Sequence, residues 1–391
     1  MTTQTEKTAQ PVLQQCPETA GSCDSPADPK AVVERFIRTA PAVSRIQPQD
    51  QEIFREFARL TNRPGCYAAG WSYLTQAANH TGDYDLGLKY CDGQRLVAIG
   101  FYPRPATKPT TWHFHFIRPL GAWWEEDDQK KLVQLCAHAS SVSGQPMYIK
   151  KLFADECARL RRWGQFVHPV QLPWHPIAIA EDDTFPERIV DVRRTLNLVE
   201  GPTDNEMRNK FGRFVRRYAG NYCVKDYDIS LRHDAELVVN RFFQNRSERQ
   251  VQVSTADDYQ NMITYLPHGR NGHDWFSSLL YVADEPVGFY LAERLPGDAS
   301  VGVYANMALY QQFPYCSEFV LIHLFQRLRQ AGISVANLGG SETEGLDHFK
   351  LKFRPAQVQN MNWLVYMGIK GGADGARSRT DEALGRLPES L

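Results

Sequence analysis

The sequence lacks the long hydrophobic runs that mark transmembrane helices. Its most apolar stretch, FVLIHLF (319–325), is seven residues long and contains a histidine. A membrane-spanning helix needs about 20 apolar residues. The N-terminal sequence MTTQTEKTAQPVLQQC has no apolar run of the kind found in a secretory signal. These absences predict a cytoplasmic protein without a membrane partner.

The sequence also lacks an excess of charge of either sign. Its 44 lysines and arginines nearly balance its 45 aspartates and glutamates, and the formal net charge is −1. This balance excludes a generally basic protein that coats nucleic acid, and we expect no DNA partner. It still allows a basic patch on one face. Hydrophobic residues (42%) and charged residues (23%) occur at ordinary globular frequencies.

Paired cysteines are a third absence. The eight cysteines are scattered and none forms a C-x-x-C pair, which argues against a zinc site and against a disulfide framework. His113 and His115 alternate along a predicted strand, but no third metal ligand accompanies them. No recognisable Ser-His-Asp or Cys-His signature is present either. The sequence therefore predicts reduced cysteines and no bound metal.

Length and composition divide the chain into four segments. At roughly 100–200 residues per domain, 391 residues predict two or three domains. Residues 1–29 are rich in Thr, Gln, Pro and Ser and are expected to be disordered, while residues 371–391 are expected to form a flexible tail. Residues 181–203 form an acidic, proline-containing connector, and we place the domain boundary near residue 200. The expected domains are therefore 30–200 and 201–370.

A weak internal repeat relates these two domains. Two strand–turn–strand segments both end in Phe-Tyr, and Phe101 in the first lies 188 residues before Phe289 in the second. A glycine between a helical segment and a β-rich run recurs with the same offset, at Gly144 and Gly332. The repeat predicts two copies of one α/β domain. Each copy would be an antiparallel hairpin followed by a strand–helix–strand unit.

The strongest local motif is the run NLGGSETEGLDHFKLKFRP (337–355). Gly339 and Gly340 allow the backbone to turn sharply after a strand and to approach a ligand closely. Either Ser341 or Thr343 is suited to cap the helix that follows, since a glutamate stands three residues after Ser341, the capping-box spacing. The alternative interpretation is an ordinary turn followed by a surface lysine.

This run resembles the C-terminal signature of the tandem GNAT-fold aminoacyl-tRNA-dependent transferases, which include the Fem peptidyltransferases and the catalytic domains of phosphatidylglycerol lysyltransferases. The resemblance is densest over 300–366. It implies an α/β (α+β) fold with two GNAT-like domains in tandem, each a mixed, largely antiparallel sheet flanked by helices. It also implies transfer of an aminoacyl group from a charged tRNA to an amine, without a cofactor. By position, Lys350 beside Phe349 would stabilise the oxyanion or hold the tRNA 3′ end.

The chemistry suits these residue types. Aminoacyl transfer from an ester to an amine passes through a tetrahedral oxyanion, and one fixed donor aimed at it contributes roughly 3–4 kcal/mol. Lys350 could supply a cation, and backbone N–H groups near Gly339 and Gly340 could supply donors. In the loop LPHGRNGHDW, His273 or Asp274 is a candidate general base, although an ordinary polar loop is the alternative.

Two further groups of residues are candidates for binding. The first flanks the strand-to-helix turn at which GNAT folds open their central cleft and is a candidate for substrate binding: Tyr304, Asn306, Tyr315 and Glu318. Of these, Tyr315 and Glu318 would line an acceptor pocket. The second makes a basic stripe on the helix predicted by TDNEMRNKFGRFVRRY and just after the Phe-Lys pair: Arg208, Lys210, Arg213, Arg216, Arg217, Lys352 and Arg354. This stripe is either a solvated helix face or a phosphate-binding surface for tRNA.

Three functional interpretations remain open at this stage. The leading one is a soluble enzyme that moves an aminoacyl group from aminoacyl-tRNA to an amine or hydroxylamine of a small molecule or peptide, in natural-product biosynthesis. The second is a GNAT acyltransferase that uses acyl-CoA, but the stretch LYQQFPYCSEF has no glycine where a phosphate-binding loop needs one. The third is a non-catalytic RNA-binding protein. The first domain lacks a matching Gly-Gly-Ser run, so one active site is expected. The oligomeric state is left open.

Overall fold

The computed structural model describes residues 28–61, 63, 65–79, 84–103, 111–169, 186–201, 205–247, 256–295, 299–341 and 343–369. The two expected tails, 1–29 and 371–391, fall outside these ranges except for residues 28 and 29. Within the described residues, no helix combines the length and the apolar character needed to cross a membrane.

Eleven α-helices occur in the described part of the chain. They are α1 (Pro29–Thr39), α2 (Gln51–Leu60), α3 (Trp71–Ala78), α4 (Glu126–Ser143), α5 (Ala154–Leu160), α6 (Val192–Glu200), α7 (Asn205–Arg217), α8 (Arg232–Ser247), α9 (Ala256–Thr264), α10 (Cys316–Gln330) and α11 (Glu344–Leu351).

The strands, again within the described residues, number fourteen. They are β1 (Val43–Arg45), β2 (Leu88–Cys91), β3 (Arg95–Pro103), β4 (Trp112–Gly121), β5 (Met147–Leu152), β6 (Gly164–Val167), β7 (Glu187–Asp191), β8 (Tyr222–Asp226), β9 (Trp275–Val282), β10 (Glu285–Arg294), β11 (Ser300–Ala308), β12 (Val335–Asn337), β13 (Gln357–Gln359) and β14 (Asn362–Ile369).

These strands form two seven-stranded sheets of similar design. The first has the order β1-β2-β3-β4-β5-β14-β6 and the second the order β13-β7-β12-β11-β10-β9-β8. In each sheet an antiparallel meander leads to one parallel pair, β4–β5 or β11–β12, and a long helix (α4 or α10) makes the crossover that a parallel pair requires. The predicted fold class, with mixed and largely antiparallel sheets flanked by helices, is confirmed.

The glycine repeat has a structural cause. Gly144 ends α4 and Gly332 follows the end of α10, and both have left-handed backbones, with φ of 68° and 74°. A residue in this conformation closes a helix at low cost only when it lacks a Cβ atom. The two glycines therefore end equivalent crossover helices in the two halves of the chain, which explains why they recur at the offset of the repeat.

The two halves exchange strands. β7 lies before residue 200 but pairs antiparallel with β12 in the second sheet, and the C-terminal β14 pairs with β5 and β6 in the first. The predicted domain boundary near 200 stays a prediction, because strand pairing by itself does not delimit domains. The sheets do not divide the chain at that point.

The apolar run 319–325 forms the middle of α10 and is buried beneath the second sheet. Phe319, Leu321, Leu324 and Phe325 are each at most 4% exposed and belong to one core cluster with side chains from α6 and α7. Burying one such side chain contributes about 1.5–3 kcal/mol. Phe353, just after α11, belongs to the same cluster, so this packing connects α10 to the end of α11.

Candidate active site at the Gly-Gly-Ser turn

The Gly-Gly-Ser turn (residues 339–341) connects β12 to α11. Gly339 has a φ of +70°, and a Cβ atom added to it would lie 2.7 Å from the ring of Tyr67. Glycine is therefore required here for both backbone conformation and close approach. Thr343 is the N-cap of α11, because its hydroxyl accepts from the backbone N–H of Leu346 at 3.2 Å. Ser341 is buried, and its hydroxyl lies 3.4 Å from a carboxylate oxygen of Asp347.

Lys350 points its ammonium group at this turn. Its Nζ donates to the carbonyl oxygen of Gly339 at 3.1 Å and also to that of Gly340. The residue is only 8% exposed, so it is not the surface lysine of the alternative interpretation. Carbonyl oxygens are neutral, and these two bonds orient the ammonium without cancelling its positive charge.

Asn337, the last residue of β12, stabilises the turn through its side-chain hydrogen bonds. Its side-chain oxygen accepts from the N–H of Gly339 at 2.9 Å, and its amide nitrogen donates to Glu187 (2.9 Å) and to the carbonyl of Gly65 (3.1 Å). Asn337 is 1% exposed. A buried amide with partners on both ends is fixed in orientation, so it fixes the turn as well.

Strand β7 supplies a second support that the sequence does not reveal. The Arg188 guanidinium makes two hydrogen bonds of 2.9 Å to the carboxylate of Asp347, on the same helix as Lys350. The backbone N–H of Arg188 also donates to the carbonyl of Gly339 at 3.2 Å. A two-point pair of this kind sets angle as well as distance. Residues 187 and 188 fall in the stretch that the sequence predicts as a connector, and nothing local distinguishes them from the rest of it.

Phe349, predicted beside Lys350 in the catalytic pair, packs in the second core. Its ring lies 5.3 Å from that of Phe353 in an edge-on arrangement, and the ammonium of Lys352 lies 5.4 Å from its centre. The half-buried ring thus anchors α11. Its catalytic role stays a prediction.

Glu318, near the start of α10, links the basic helix α7 to the end of α11. Its carboxylate lies 3.5 Å from the ammonium of Lys210 and 3.2 Å from that of Lys352. Lys210 also pairs with Glu206 at 2.7 Å. Burial opposes the charge of Lys210, but the hydrogen bond to Glu206 and the charge of Glu318 outweigh it and raise the lysine pKa. Glu318 is only 8% exposed, and its carboxylate pairs with both of these lysines.

The remaining basic residues of the predicted stripe are exposed. Arg213 donates to the hydroxyl of Tyr315 at 3.3 Å, so Tyr315 lies next to the basic helix α7. Arg208 donates to the carbonyl of Gly201 at 3.1 Å. The exposed members of the predicted stripe are Arg208, Arg213, Arg216, Arg217, Lys352 and Arg354. We call these six residues together with Lys210 the basic surface.

Three further predicted residues lie on β11 or in the loop before β9. Tyr304 is 4% exposed, donates to the carbonyl of Tyr67 at 2.8 Å, and has a pKa raised well above its usual value by burial. Asn306 is half-buried in β11, and its side-chain oxygen has no hydrogen-bond partner among the described residues. His273 is exposed and lies 3.1 Å from Asp274. None of the contacts described for His273 reaches Lys350, and its role as a base stays a prediction.

No cluster suited to a metal is found in the described ranges, where no three His, Cys, Asp or Glu side chains converge. The two histidines of the alternating pair have structural partners. His113 contacts the carbonyl of Pro146 at 2.8 Å and the hydroxyl of Thr111 at 3.0 Å, and His115 stacks on Tyr148 with ring centres 4.6 Å apart.

Comparison with solved structures finds the same fold at low sequence identity. A conserved protein of unknown function from Bacteroides thetaiotaomicron superposes with a TM-score of 0.58 and 14% identity, covering 83% of this chain and 98% of that one. FemX gives a TM-score of 0.53 and 12% identity, covering 83% and 97%. L-PGS from Bacillus licheniformis gives 0.52 and 14%, covering 83% and 92%. No family model and no curated protein matches the sequence.

These similarities cover 83% of this chain and 92–98% of each known structure. At identities of 12–14% they establish fold and not activity. The resemblance seen in the run 337–355 is therefore confirmed at the level of the fold: the chain has the tandem GNAT-like architecture that it shares with FemX and L-PGS.

Proposed function

We propose that this protein transfers an aminoacyl group from an aminoacyl-tRNA to an amine or hydroxylamine of a small molecule or peptide. One observation carries the proposal. The Lys350 ammonium is buried at the Gly-Gly-Ser turn, and the same helix end is tied through Lys352 and Glu318 to an exposed basic helix. A cation placed for chemistry thus adjoins a surface suited to phosphates.

The reaction needs little beyond positioning and charge. The neutral acceptor nitrogen attacks the ester carbonyl, a C–N bond forms, and negative charge develops on the carbonyl oxygen. Lys350 stabilises that charge, and one fixed donor of this kind contributes roughly 3–4 kcal/mol. The ester C–O bond then breaks, and the departing 3′-oxygen takes the proton released by the amine. In this scheme no separate general base is required, and His273 has no step assigned to it.

The basic surface would bind the phosphates of the tRNA acceptor arm. The α7 residues Met207 and Phe214 are buried, whereas four arginines of the same helix are exposed: Arg208, Arg213, Arg216 and Arg217. Phosphate contacts from such residues supply affinity without sequence selectivity. The acceptor pocket is proposed near Tyr315 and Asn306, around the connection between β11 and α10.

Natural-product assembly is the role that we propose for the acceptor chemistry, as the sequence suggested. The alternative donor is an acyl-CoA. Against it, the segment before α10 contains Pro314 and ends in Tyr315 with a φ of +72°. This segment has no glycine with which to cradle a pyrophosphate.

A transfer assay with both donors tests the proposal. Purified protein is incubated with bulk tRNA charged with labelled amino acids, or with labelled acetyl-CoA, against a pool of amine acceptors. We expect label to move from tRNA, and RNase treatment to abolish the transfer. Transfer from acetyl-CoA alone would overturn the proposal and assign an acyl-CoA-dependent activity instead.

A further inference from the structure

A segment of the N-terminal half lies directly against the Gly-Gly-Ser turn. This segment, residues 65–70, is separated from the turn by more than 260 residues of sequence. The carbonyl of Gly65 accepts from the Asn337 amide at 3.1 Å, and the ring of Tyr67 covers Gly339. The candidate active site is therefore assembled from both halves of the chain.

Tyr67 is itself held at three points. Its hydroxyl donates to the carbonyl of Val303 at 3.1 Å, and its own carbonyl accepts from the Tyr304 hydroxyl at 2.8 Å. Its ring centre lies 4.6 Å from that of Tyr304 and 5.5 Å from that of Tyr73. A side chain fixed in this way presents a rigid surface to whatever it covers.

The fit between the halves is reciprocal. A Cβ atom on Gly339 would lie 2.7–3.1 Å from three ring atoms of Tyr67, and a Cβ atom on Gly70 would lie 1.9 Å from the Tyr304 hydroxyl oxygen. Each half thus contributes a tyrosine that only a glycine of the other half accommodates. Two close approaches of this kind fix the position of the turn relative to the N-terminal half.

We propose that Tyr67 is a positioning residue of the Lys350 site. A glycine at φ +70° has more accessible conformations than any other residue, and the Tyr67 ring blocks movement of Gly339 on one side. The ring thereby keeps the carbonyls of Gly339 and Gly340 directed at the Lys350 ammonium. This inference rests on the proposed function, in which Lys350 must meet the reacting carbonyl oxygen.

Two substitutions at Tyr67 separate the ring from the hydroxyl. Tyr67→Ala removes the ring over Gly339, and we expect kcat for aminoacyl transfer to fall by about 10- to 100-fold, the range typical of a mispositioned catalytic group. Tyr67→Phe keeps the ring and loses only the hydrogen bond to the carbonyl of Val303, so it should retain most of the wild-type activity. The KM for charged tRNA should stay unchanged in both variants. Tyr90→Ala removes a buried tyrosine of the first core and controls for general loss of stability.

A double-mutant cycle tests the contact directly. Gly339→Ala should reduce kcat strongly in the wild-type background, because its Cβ atom meets the Tyr67 ring. It should reduce kcat much less in the Tyr67→Ala background, where only the backbone strain remains. Additive losses would show that the ring and the glycine do not act on each other, and would overturn the inference. If Tyr67→Ala fails to fold, Tyr67→Leu serves in both experiments.

One measurement needs no donor substrate and separates failure of the inference from failure of the proposed function. In protein labelled with ¹⁵N-lysine, the Lys350 ammonium resonance is assigned by its absence in Lys350→Arg. We expect a slowly exchanging signal in the wild type and in Tyr67→Phe, and its loss in Tyr67→Ala. An unchanged signal in Tyr67→Ala, or no such signal in the wild type, would overturn the inference whatever the enzyme transfers.

Discussion

Lys350 combines burial with hydrogen bonds to two backbone carbonyls. The carbonyls of Gly339 and Gly340 orient the ammonium, and the two-point pair between Arg188 and Asp347 fixes the helix that carries it. A cation ordered before the reaction needs no reorganisation when negative charge develops beside it. The sequence predicted a role for this lysine, but only the structure shows the contacts that orient its side chain.

Replacement of this lysine should separate chemistry from binding. For Lys350→Ala we expect kcat to fall by about 10²–10³-fold, as when one oxyanion donor is removed, with tRNA affinity unchanged. Single-turnover kinetics and filter binding measure the two quantities. Lys130→Ala, which removes a partly exposed lysine of α4 that pairs with Glu126, is the control. Wild-type turnover in Lys350→Ala would remove the proposed mechanism.

His323 is a second buried titratable group, on α10. Burial lowers its pKa to about 4, and the charge of Arg327 acts in the same direction. Its Nδ1 lies 3.2 Å from the Tyr290 hydroxyl. An unfolded histidine has a pKa near 6.5, so the unfolded chain binds more protons than the folded chain between about pH 6.5 and pH 4. Stability contributed by the neutral ring is thus complete above this window and lost as the pH falls through it.

Substitution of His323 should therefore alter the pH dependence of stability. We expect the free energy of unfolding, measured with urea, to decrease when the pH falls from about 7 to about 5. The decrease should be about 2 kcal/mol larger for the wild type than for His323→Gln. The difference between the two proteins cancels the contribution of carboxylates common to both. Parallel pH profiles for the two proteins would contradict the assigned burial effect.

At the scale of elements, three helices meet at one carboxylate. Glu318 on α10 faces Lys210 on α7 and Lys352 just after α11. The sequence predicted a role for Glu318 in acceptor binding, and the structure gives it two cationic partners within the protein. These are different roles with different consequences when the charge is removed.

Glu318→Gln distinguishes these roles. If the carboxylate holds the three helices together, its loss should lower the free energy of unfolding by about 1–3 kcal/mol and leave the acceptor KM unchanged. Glu206→Gln is the matched control, because it removes an exposed partner of the same lysine and should cost about 0.5 kcal/mol or less. A higher acceptor KM at unchanged stability would support the pocket role instead.

The basic helix makes its own prediction. Removing Arg213 and Arg217 together should weaken tRNA binding and reduce the slope of log K against log salt by about 0.7–0.9 for each phosphate that the protein no longer neutralises. Filter binding at several salt concentrations measures the slope. The double variant Arg161→Ala, Arg162→Ala removes the same charge from an exposed site after α5 and should leave the slope unchanged. Equal slopes in all three proteins would mean that the basic residues of α7 form a solvated helix face and do not bind phosphates.

At the scale of the whole molecule, the two halves are interlocked. β7 and β14 each join the sheet of the other half. The buried Glu293 carboxylate accepts from the backbone N–H groups of Trp71 and Ser72, at 3.1 Å and 2.9 Å, at the start of α3. Neither sheet is complete without chain from the other half, so neither half should unfold alone.

We therefore expect a single unfolding transition. Far-ultraviolet circular dichroism and tryptophan fluorescence should give the same urea midpoint, as for one cooperative unit. Glu293→Ala should lower that midpoint, because two buried N–H groups lose their acceptor, but it should not split the transition. Two separate transitions would show that the exchanged strands do not couple the halves.

Much of the fold was predictable because its signals are local. The apolar run of α10, the helix-ending glycines Gly144 and Gly332, and the turn from Gly339 into α11 each depend on neighbours within a few residues. Local sequence did not decide the capping residue, because it left both Ser341, which has the capping-box spacing, and Thr343 open. Only the path of the chain directs Ser341 toward Asp347 and leaves Thr343 to cap.

The sequence by itself determined the repeated α/β architecture, the glycine turn, the position of Lys350 and the basic face of α7. Tertiary structure alone decided what holds the site, since Gly65, Tyr67 and Glu187 contact the Asn337–Gly340 segment across 150 residues or more. Such contacts leave no periodicity and no spacing in the sequence. They depend on how two sheets that exchange strands bring distant segments together, and that is a property of the folded chain.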